Sequence, residues 1–536
     1  MNARKEGLIA AGIFAAGALL LFLTAPHEGE FWWSDAPRHA LNGAFIKDFI
    51  AAMPAHPTVW AMQYYVKYPA LTILFYPPLF YVILAPFYAL FGVSHATAIA
   101  VELLHYFALA LGLYYLARRW VSPLTAIAVG LSAMAVPGIT LWGRQVMLEV
   151  PSVTFAVWAA VALLSYISAG RPSRLYLAAF LLLCATYTKI TTIFLFPLFA
   201  LVLLAGRGPQ TLRERRTWVL VVLTIVGLIP VAVLTIKFGG ANVQSVTGIP
   251  DAAVSRASIA GWIWYARQLP WQLGWPLCAL AVLAVPLAIA GRLSRLTRAD
   301  LVLIGGWFVL GYLFLSAIDL KEARHALVFL PIVLLAAGLS IDALLPSRAV
   351  GPALLAIVIG TGVYTWREAP TPFVSGYREA ADWIAREAPK DAVVMFSGKR
   401  DGSFIFNLRT IPTRHDISVL RSDKLLLDVA VRRTLGLKQN DLSEQQIGDL
   451  LNRDGVSYVV AQDDFWTDIP EMARFQDVLR SPHFQAVAHI PIVSNVFTED
   501  KSLTIYRNTD DVSSGPHMVD LHLPIIGATV QGTIGK

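Results

Sequence analysis

The sequence predicts a polytopic α-helical membrane protein of about eleven spans, with interfacial amphipathic helices in the first outer loop and a C-terminal soluble α/β domain. Three observations predict it. Hydrophobic residues make up 56% of the 536-residue chain and charged residues only 15%, against about a quarter charged in an ordinary globular domain. The apolar residues fall in blocks of roughly 20, the helix length that crosses a bilayer core. After Trp366 the composition turns soluble. Disorder, coiled coil and a nucleic-acid-binding globule are excluded together. Only two cysteines occur, Cys184 and Cys278, both inside apolar runs, so neither a disulfide framework nor a thiolate metal cluster can form.

Apolar segments lie near 7–25, 71–92, 97–117, 121–141, 149–169, 173–188, 190–206, 217–238, 274–291, 300–318, 325–345 and 349–366. The first follows Arg4 and Lys5 and lacks a small-x-small cleavage site before Pro26, so it is read as a retained span rather than a signal peptide. If all twelve crossed, Arg118, Arg119 and every later basic loop would face outward, against the positive-inside bias. Segment 71–92 is the weakest, with Pro77, Pro78 and Pro86 among aromatics, and suits an interfacial or re-entrant helix. Without it, eleven spans remain. The inner loops then collect Arg118, Arg119, Arg171, Arg174, Arg207, Arg213, Arg215, Arg216, Arg292, Arg295, Arg298 and Arg348, while the outer loops keep Arg144, Lys189, Lys321 and Arg324. The N-terminus is expected inside and the C-terminus outside.

Beyond the spans, 377–388 reads as an amphipathic helix, 392–396 as a buried strand, and 443–451 as a helix opened by a Ser-x-x-Gln capping box. Residues 457–461 and 503–506 read as further strands. The expected domains are 1–370 in the membrane, 371–510 as an outer α/β domain, and 511–536 as a loosely held tail. No internal repeat indicates a transporter built from two halves.

The informative polar residues gather on the outer side of this topology. Asp35 follows Trp32-Trp33-Ser34 and has Arg38 within a turn of it. A carboxylate beside a guanidinium stays ionised and can accept a proton from a hydroxyl, although a helix cap at Ala36-Pro37 would also explain it. Glu149, at the outer mouth of a span, reads either as a functional carboxylate or as the partner of Arg144. Lys189, in the polar break Thr188-Lys189-Ile190, can snorkel to headgroups or meet a phosphate. Lys321 and Arg324 stand at i and i+3, beside His325, and read equally as a solvated loop. Lys67 and the Tyr76-Pro77-Pro78 turn fall at the same level. Two carboxylates and several cations at one interface suit a lipid-linked phosphate substrate whose tail lies in the bilayer. Ion transport would need polar residues near the midplane of several spans, and those are sparse.

The order of motifs resembles bacterial membrane glycosyltransferases of the GT-C superfamily, similar to protein O-mannosyltransferases and lipid A aminoarabinose transferases. The resemblance rests on Asp35-Ala36-Pro37-Arg38-His39, on Tyr76-Pro77-Pro78-Leu79-Phe80-Tyr81 with Leu90-Phe91-Gly92-Val93, on Arg144 with Glu149-Val150-Pro151, on Thr188-Lys189-Ile190, and on Lys321-Glu322-Ala323-Arg324-His325 with Pro331. It covers about residues 1–400. It implies a GT-C-like fold and, for Asp35, the general base that serves the acceptor hydroxyl, with Glu149 as the second catalytic carboxylate orienting sugar or acceptor. Arg38, Lys189, Lys321 and Arg324 would hold the donor phosphate, and His39, Lys67, Tyr76, Arg144 and His325 would complete the substrate site. Three departures stand out: the family's second acidic residue is Ala36 here, the lysine before Pro-Pro is Tyr76, and both Arg-Tyr pairs read Arg-His.

The resemblance implies one inverting displacement from a polyprenyl-phosphate sugar to an outward-facing glycolipid, lipopolysaccharide component or protein, at a bacterial inner membrane with a periplasmic C-terminal domain. No nucleotide-binding Gly-rich loop, metal-ligand motif or other cofactor motif is seen, and dependence on a divalent metal is left open. No nucleic-acid partner is expected. The rival from another class is a non-catalytic carrier or assembly subunit for envelope polysaccharide.

Overall fold

The computed structural model describes residues 3–249, 254–429, 433–513, 515–523 and 528–535. Every segment read as a span is helical: Ala3–Leu23, His95–Ala117, Pro123–Ala135 with Pro137–Gly143, Glu149–Ala169, Pro172–Thr188, Leu195–Arg207 behind a short 3-10 turn, Arg215–Phe238, Trp275–Ile289, Arg298–Ser316, Leu330–Leu344 and Ser347–Glu368. Among the described residues, seven helices are long and apolar enough to cross a membrane, or eight if the pair bent by 61° at Val136 counts as one. The bend sits at Pro137, which has no N–H to continue the ladder. Leu79–Phe91, Trp275–Ile289 and Leu330–Leu344 are shorter apolar helices.

Polar contacts sort the helix ends into two sets. At one end Glu6 pairs with Arg118 at 3.1 Å, Trp120 donates to Asp300 at 3.2 Å, Arg119 donates to Ser168 at 3.0 Å, and Arg295 pairs with Asp342 at 3.0 Å. At the other, the Gly29 amide donates to the His95 ring at 3.1 Å and Thr365 donates to the Ala135 carbonyl at 2.6 Å. The helices Ala3–Leu23 and His95–Ala117 are therefore antiparallel, and the chain between them leaves and returns at the same end. Within segment 71–92 the helix Leu79–Phe91, 13 residues long, packs on Asp35–Ala52.

The first connection builds a platform from Asp35–Ala52, Pro57–Lys67 and Leu79–Phe91, and the C-terminal region sits on it. That region holds a five-stranded sheet in the order Ser418–Arg421, Val393–Ser397, Val456–Ala461, Ser502–Asn508, Phe484–Pro491. The first three strands are parallel and the last two pairings antiparallel. Alternate residues of the strand Val393–Ser397 serve two layers, as the period of two dictates. Val394 and Phe396 pack with helices Tyr377–Glu387 and Asp401–Arg409 in a core continuous with the membrane helices. Val393 and Met395 pack with Glu444–Arg453 and Pro470–Arg480. The Ser443 cap forms with Gln446 as its sequence requires.

Buried ion pairs fasten the sheet region to the platform. Arg38 pairs with Asp401 at 2.7 Å, Arg421 holds both Asp401 at 2.8 Å and Asp423 at 2.6 Å, and Arg409 pairs with Asp48. Gly29, at φ +102°, packs so tightly on Asn407 that any Cβ would collide. The tail, expected to be loosely held, forms a hairpin of His517–Leu523 and Ala528–Ile534. Its Val519, Leu521, Val530 and Ile534 are buried, and Thr533 bonds Gln63 of the platform.

Candidate active site

Two helix starts, one helix end and one irregular connection meet at the end where the platform lies. Asp35 opens the helix Asp35–Ala52, but it is not the cap. Ser34 holds that position without a side-chain bond, and the Asp35 carboxylate turns to Arg324, accepting from Nη1 at 2.9 Å. Glu149 opens the helix Glu149–Ala169. It does not pair with Arg144, whose Nε donates to the Thr140 carbonyl; its partners are Lys189 Nζ at 2.5 Å and Arg324 Nη1 at 3.7 Å.

Lys189 reaches inward because the helix Pro172–Thr188 stops there. The chain leaves the helix at Lys189, which adopts extended φ −151°, ψ 123° before the 3-10 turn Ile190–Phe194. Lys189 is half-buried, with its ammonium turned onto Glu149 rather than outward to headgroups. Arg324 sits in the 3-10 turn Ala323–Val328 after an extended connection. Its Nε donates to Glu322 at 2.5 Å, and its guanidinium lies 5.1 Å from the Trp33 ring and 6.0 Å from that of Trp142. Trp32, Trp33 and Trp142 form one aromatic cluster with centroids 5.0–5.2 Å apart. The Pro137 bend delivers Trp142 to it.

Other expected residues divide. His39 is fully buried, bonds Tyr81 at 2.9 Å and packs on Tyr76 at 4.9 Å between centroids. His325 lies 3.6 Å from Glu322. Both border the cluster, and a cleft beside it is lined by Glu149, Ser152, Val153, Lys189, Thr191, His325 and Val328. Four expected cations are elsewhere. Arg38 is held by Asp401, and Arg144 lies along its own helix. Lys67 ends the helix Pro57–Lys67, in the field of Asp416, Asp391 and Arg409. Lys321 spends its ammonium on the carbonyls of Leu315, Ser316 and Ile318 at 3.1, 2.8 and 2.6 Å, closing a helix C-terminus. Lys321→Met is expected to lower unfolding stability by about 1–3 kcal/mol, seen as a reduced Tm. An anion-binding loss without that destabilisation would contradict the capping role.

Sequence reasoning missed Glu322. It lies inside the motif that was read, but its role follows from contact with Arg324, not from spacing. Among the described residues no group of three His, Cys, Asp or Glu side chains is arranged to hold a metal ion.

Burial works against the Asp35 carboxylate, yet the charge and hydrogen bond of Arg324 foremost, with the charge of Arg38, hold its carboxyl below the usual value. Burial drives the His39 imidazole down to about 4, with Asp35 and Glu149 opposing only in part. It is a neutral ring at physiological pH. The Asp35 side chain keeps 23% exposure, so a hydroxyl can reach it.

The fold has solved counterparts. ArnT from Cupriavidus metallidurans in the apo state aligns at a TM-score of 0.64 and 14% identity, over 96% of this chain and 100% of that one. The same protein bound to undecaprenyl phosphate aligns at 0.61 and 13%, over 94% and 99%. The oligosaccharyltransferase AglB from Archaeoglobus fulgidus, in complex with an inhibitory peptide and a dolichol-phosphate, aligns at 0.51 and 11%, over 94% and 74%. The chain has a GT-C fold. Residues 76–234 also match the model of the family described as dolichyl-phosphate-mannose-protein mannosyltransferase. No curated protein matches the chain. The matched stretch runs from Tyr76 through Glu149 and Lys189, two of the residues that form the charge cluster.

Proposed function

We propose that the protein is a membrane glycosyltransferase that moves a sugar from a polyprenyl-phosphate donor to a hydroxyl-bearing acceptor, with inversion at the anomeric carbon. The observation that carries this reading is the convergence of Asp35, Glu149, Lys189 and Arg324 at one end of the apolar helices, beside an aromatic cluster and a cleft. In the reaction the acceptor oxygen bonds to the anomeric carbon as the bond from that carbon to the phosphate oxygen breaks. The acceptor proton passes to the Asp35 carboxylate. The phosphate leaves with the polyprenol, its charge met by Arg324 and Lys189, an electrostatic contribution that is usually large in such a buried site. Glu149 fixes Lys189 and faces the cleft, where it orients the sugar. The acceptor is a glycolipid, a lipopolysaccharide component or a protein, and the site faces the periplasm from the inner membrane.

The test is a panel of polyprenyl-phosphate sugars offered with envelope lipids and envelope protein to the full chain in nanodiscs. Transfer from one donor, with inverted anomeric configuration by NMR, is expected. Movement of a donor lipid across the bilayer with no transfer would support the carrier instead.

A pH dependence follows from the direction of the Asp35 shift. A base with a depressed pKa is ionised above that pKa, so its acid limb in kcat/KM lies below the usual carboxylate range. No loss from this group is expected between pH 5 and 8. An acid limb near 6 that disappears in Asp35→Asn would contradict the arrangement.

A further inference from the structure

Arg324 is crowded by anions in a way that the reaction does not require. Its Nη1 faces Asp35 at 2.9 Å and Glu149 at 3.7 Å, and its Nε faces Glu322 at 2.5 Å. Lys189, the other cation, is taken by Glu149. Three carboxylates thus surround two cations, and a phosphate entering this arrangement adds negative charge to a site that already carries an excess of it. At least one carboxylate must yield.

The three differ in how they are held. Asp35 and Glu149 are fixed at the starts of long helices, and Asp35 is the base in the reaction read above. Glu322 stands in the extended connection between the helix Arg298–Ser316 and the 3-10 turn at Ala323, with backbone φ −128°, ψ 136°. Its carboxylate meets Arg324 and, more distantly, His325, and keeps 18% exposure. Guanidinium recognises phosphate with the same N–H groups it offers a carboxylate. Glu322 is therefore the carboxylate whose seat on Arg324 a phosphate can take while Asp35 keeps its own.

We propose that Glu322 is a placeholder for the donor phosphate on Arg324, displaced when the polyprenyl-phosphate donor binds. This rests on the glycosyltransferase reading, and it makes Glu322 a determinant of donor affinity that opposes binding. It keeps a buried guanidinium partnered in the empty site and leaves when the donor supplies the same charge.

The experiment measures binding of undecaprenyl phosphate, and separately of inorganic phosphate, to the full chain in nanodiscs. Glu322→Gln keeps the shape but removes the competing charge. It is expected to tighten undecaprenyl-phosphate binding about tenfold, while Glu322→Asp, which keeps the charge, stays within about threefold of wild type. The same ordering with inorganic phosphate assigns the effect to the phosphate group. An effect confined to the lipid-linked phosphate would move the competition to the polyprenyl chain and overturn the placeholder role. Unchanged or weaker lipid binding in Glu322→Gln overturns it as well, because a merely structural carboxylate loses affinity when removed. Absence of binding in wild type and both variants overturns the donor reading itself, a distinct result from equal binding by all three.

Discussion

Asp35→Asn is expected to reduce sugar transfer by roughly two to four orders of magnitude, the usual contribution of a positioned general base, while undecaprenyl phosphate still binds. The carboxamide is isosteric and keeps an oxygen for Arg324 Nη1, so the platform helix remains in place. What it lacks is the ability to accept the acceptor proton. Wild-type transfer rates in this variant would remove Asp35 from the chemistry. Lost transfer together with lost folding would make it structural. The discriminating measurement is single-turnover transfer with saturating donor, read beside Tm and donor affinity.

The second large effect belongs to Arg324. Arg324→Ala leaves Asp35, Glu149 and Glu322 facing one another with Lys189 as the nearest cation. Breaking a buried ion pair by removing one partner costs about 3–5 kcal/mol, so a marked fall in Tm is expected along with loss of donor binding. Arg324→Lys should recover part of the stability and little of the activity. An ammonium is a single point charge, and it cannot serve carboxylates at Nε and Nη1 together as the planar guanidinium does. Thermal denaturation of the three proteins in one detergent, with undecaprenyl-phosphate binding measured in parallel, checks both parts. Equal stability of Arg324→Ala and wild type would mean that the carboxylates are not held by this residue.

Much of the fold was legible before any coordinates. The apolar blocks became helices, and the capping box at Ser443 and the strands near 393, 457 and 503 lie where the sequence reading put them. The site was legible as residue types rather than as contacts. Asp35, Glu149, Lys189 and Arg324 converge, whereas Arg38, Lys67, Arg144 and Lys321, equally basic and equally near the interface in sequence, do not. Arg38 illustrates the difference: its side chain is claimed by Asp401, 363 residues away, and no local pattern carries that information.

What the sequence determined alone was partition: which stretches leave water, which stay in it, and where a turn or cap must fall. Those outcomes depend on transfer free energies and backbone preferences summed over neighbouring residues. Only the tertiary structure decided pairing. The choice of Asp35 and not Asp401 for Arg324, the capture of Lys321 by three carbonyls, and the seating of Glu322 on the guanidinium all depend on helix packing. An ion pair in a low-dielectric interior forms with whichever opposite charge that packing brings within 4 Å.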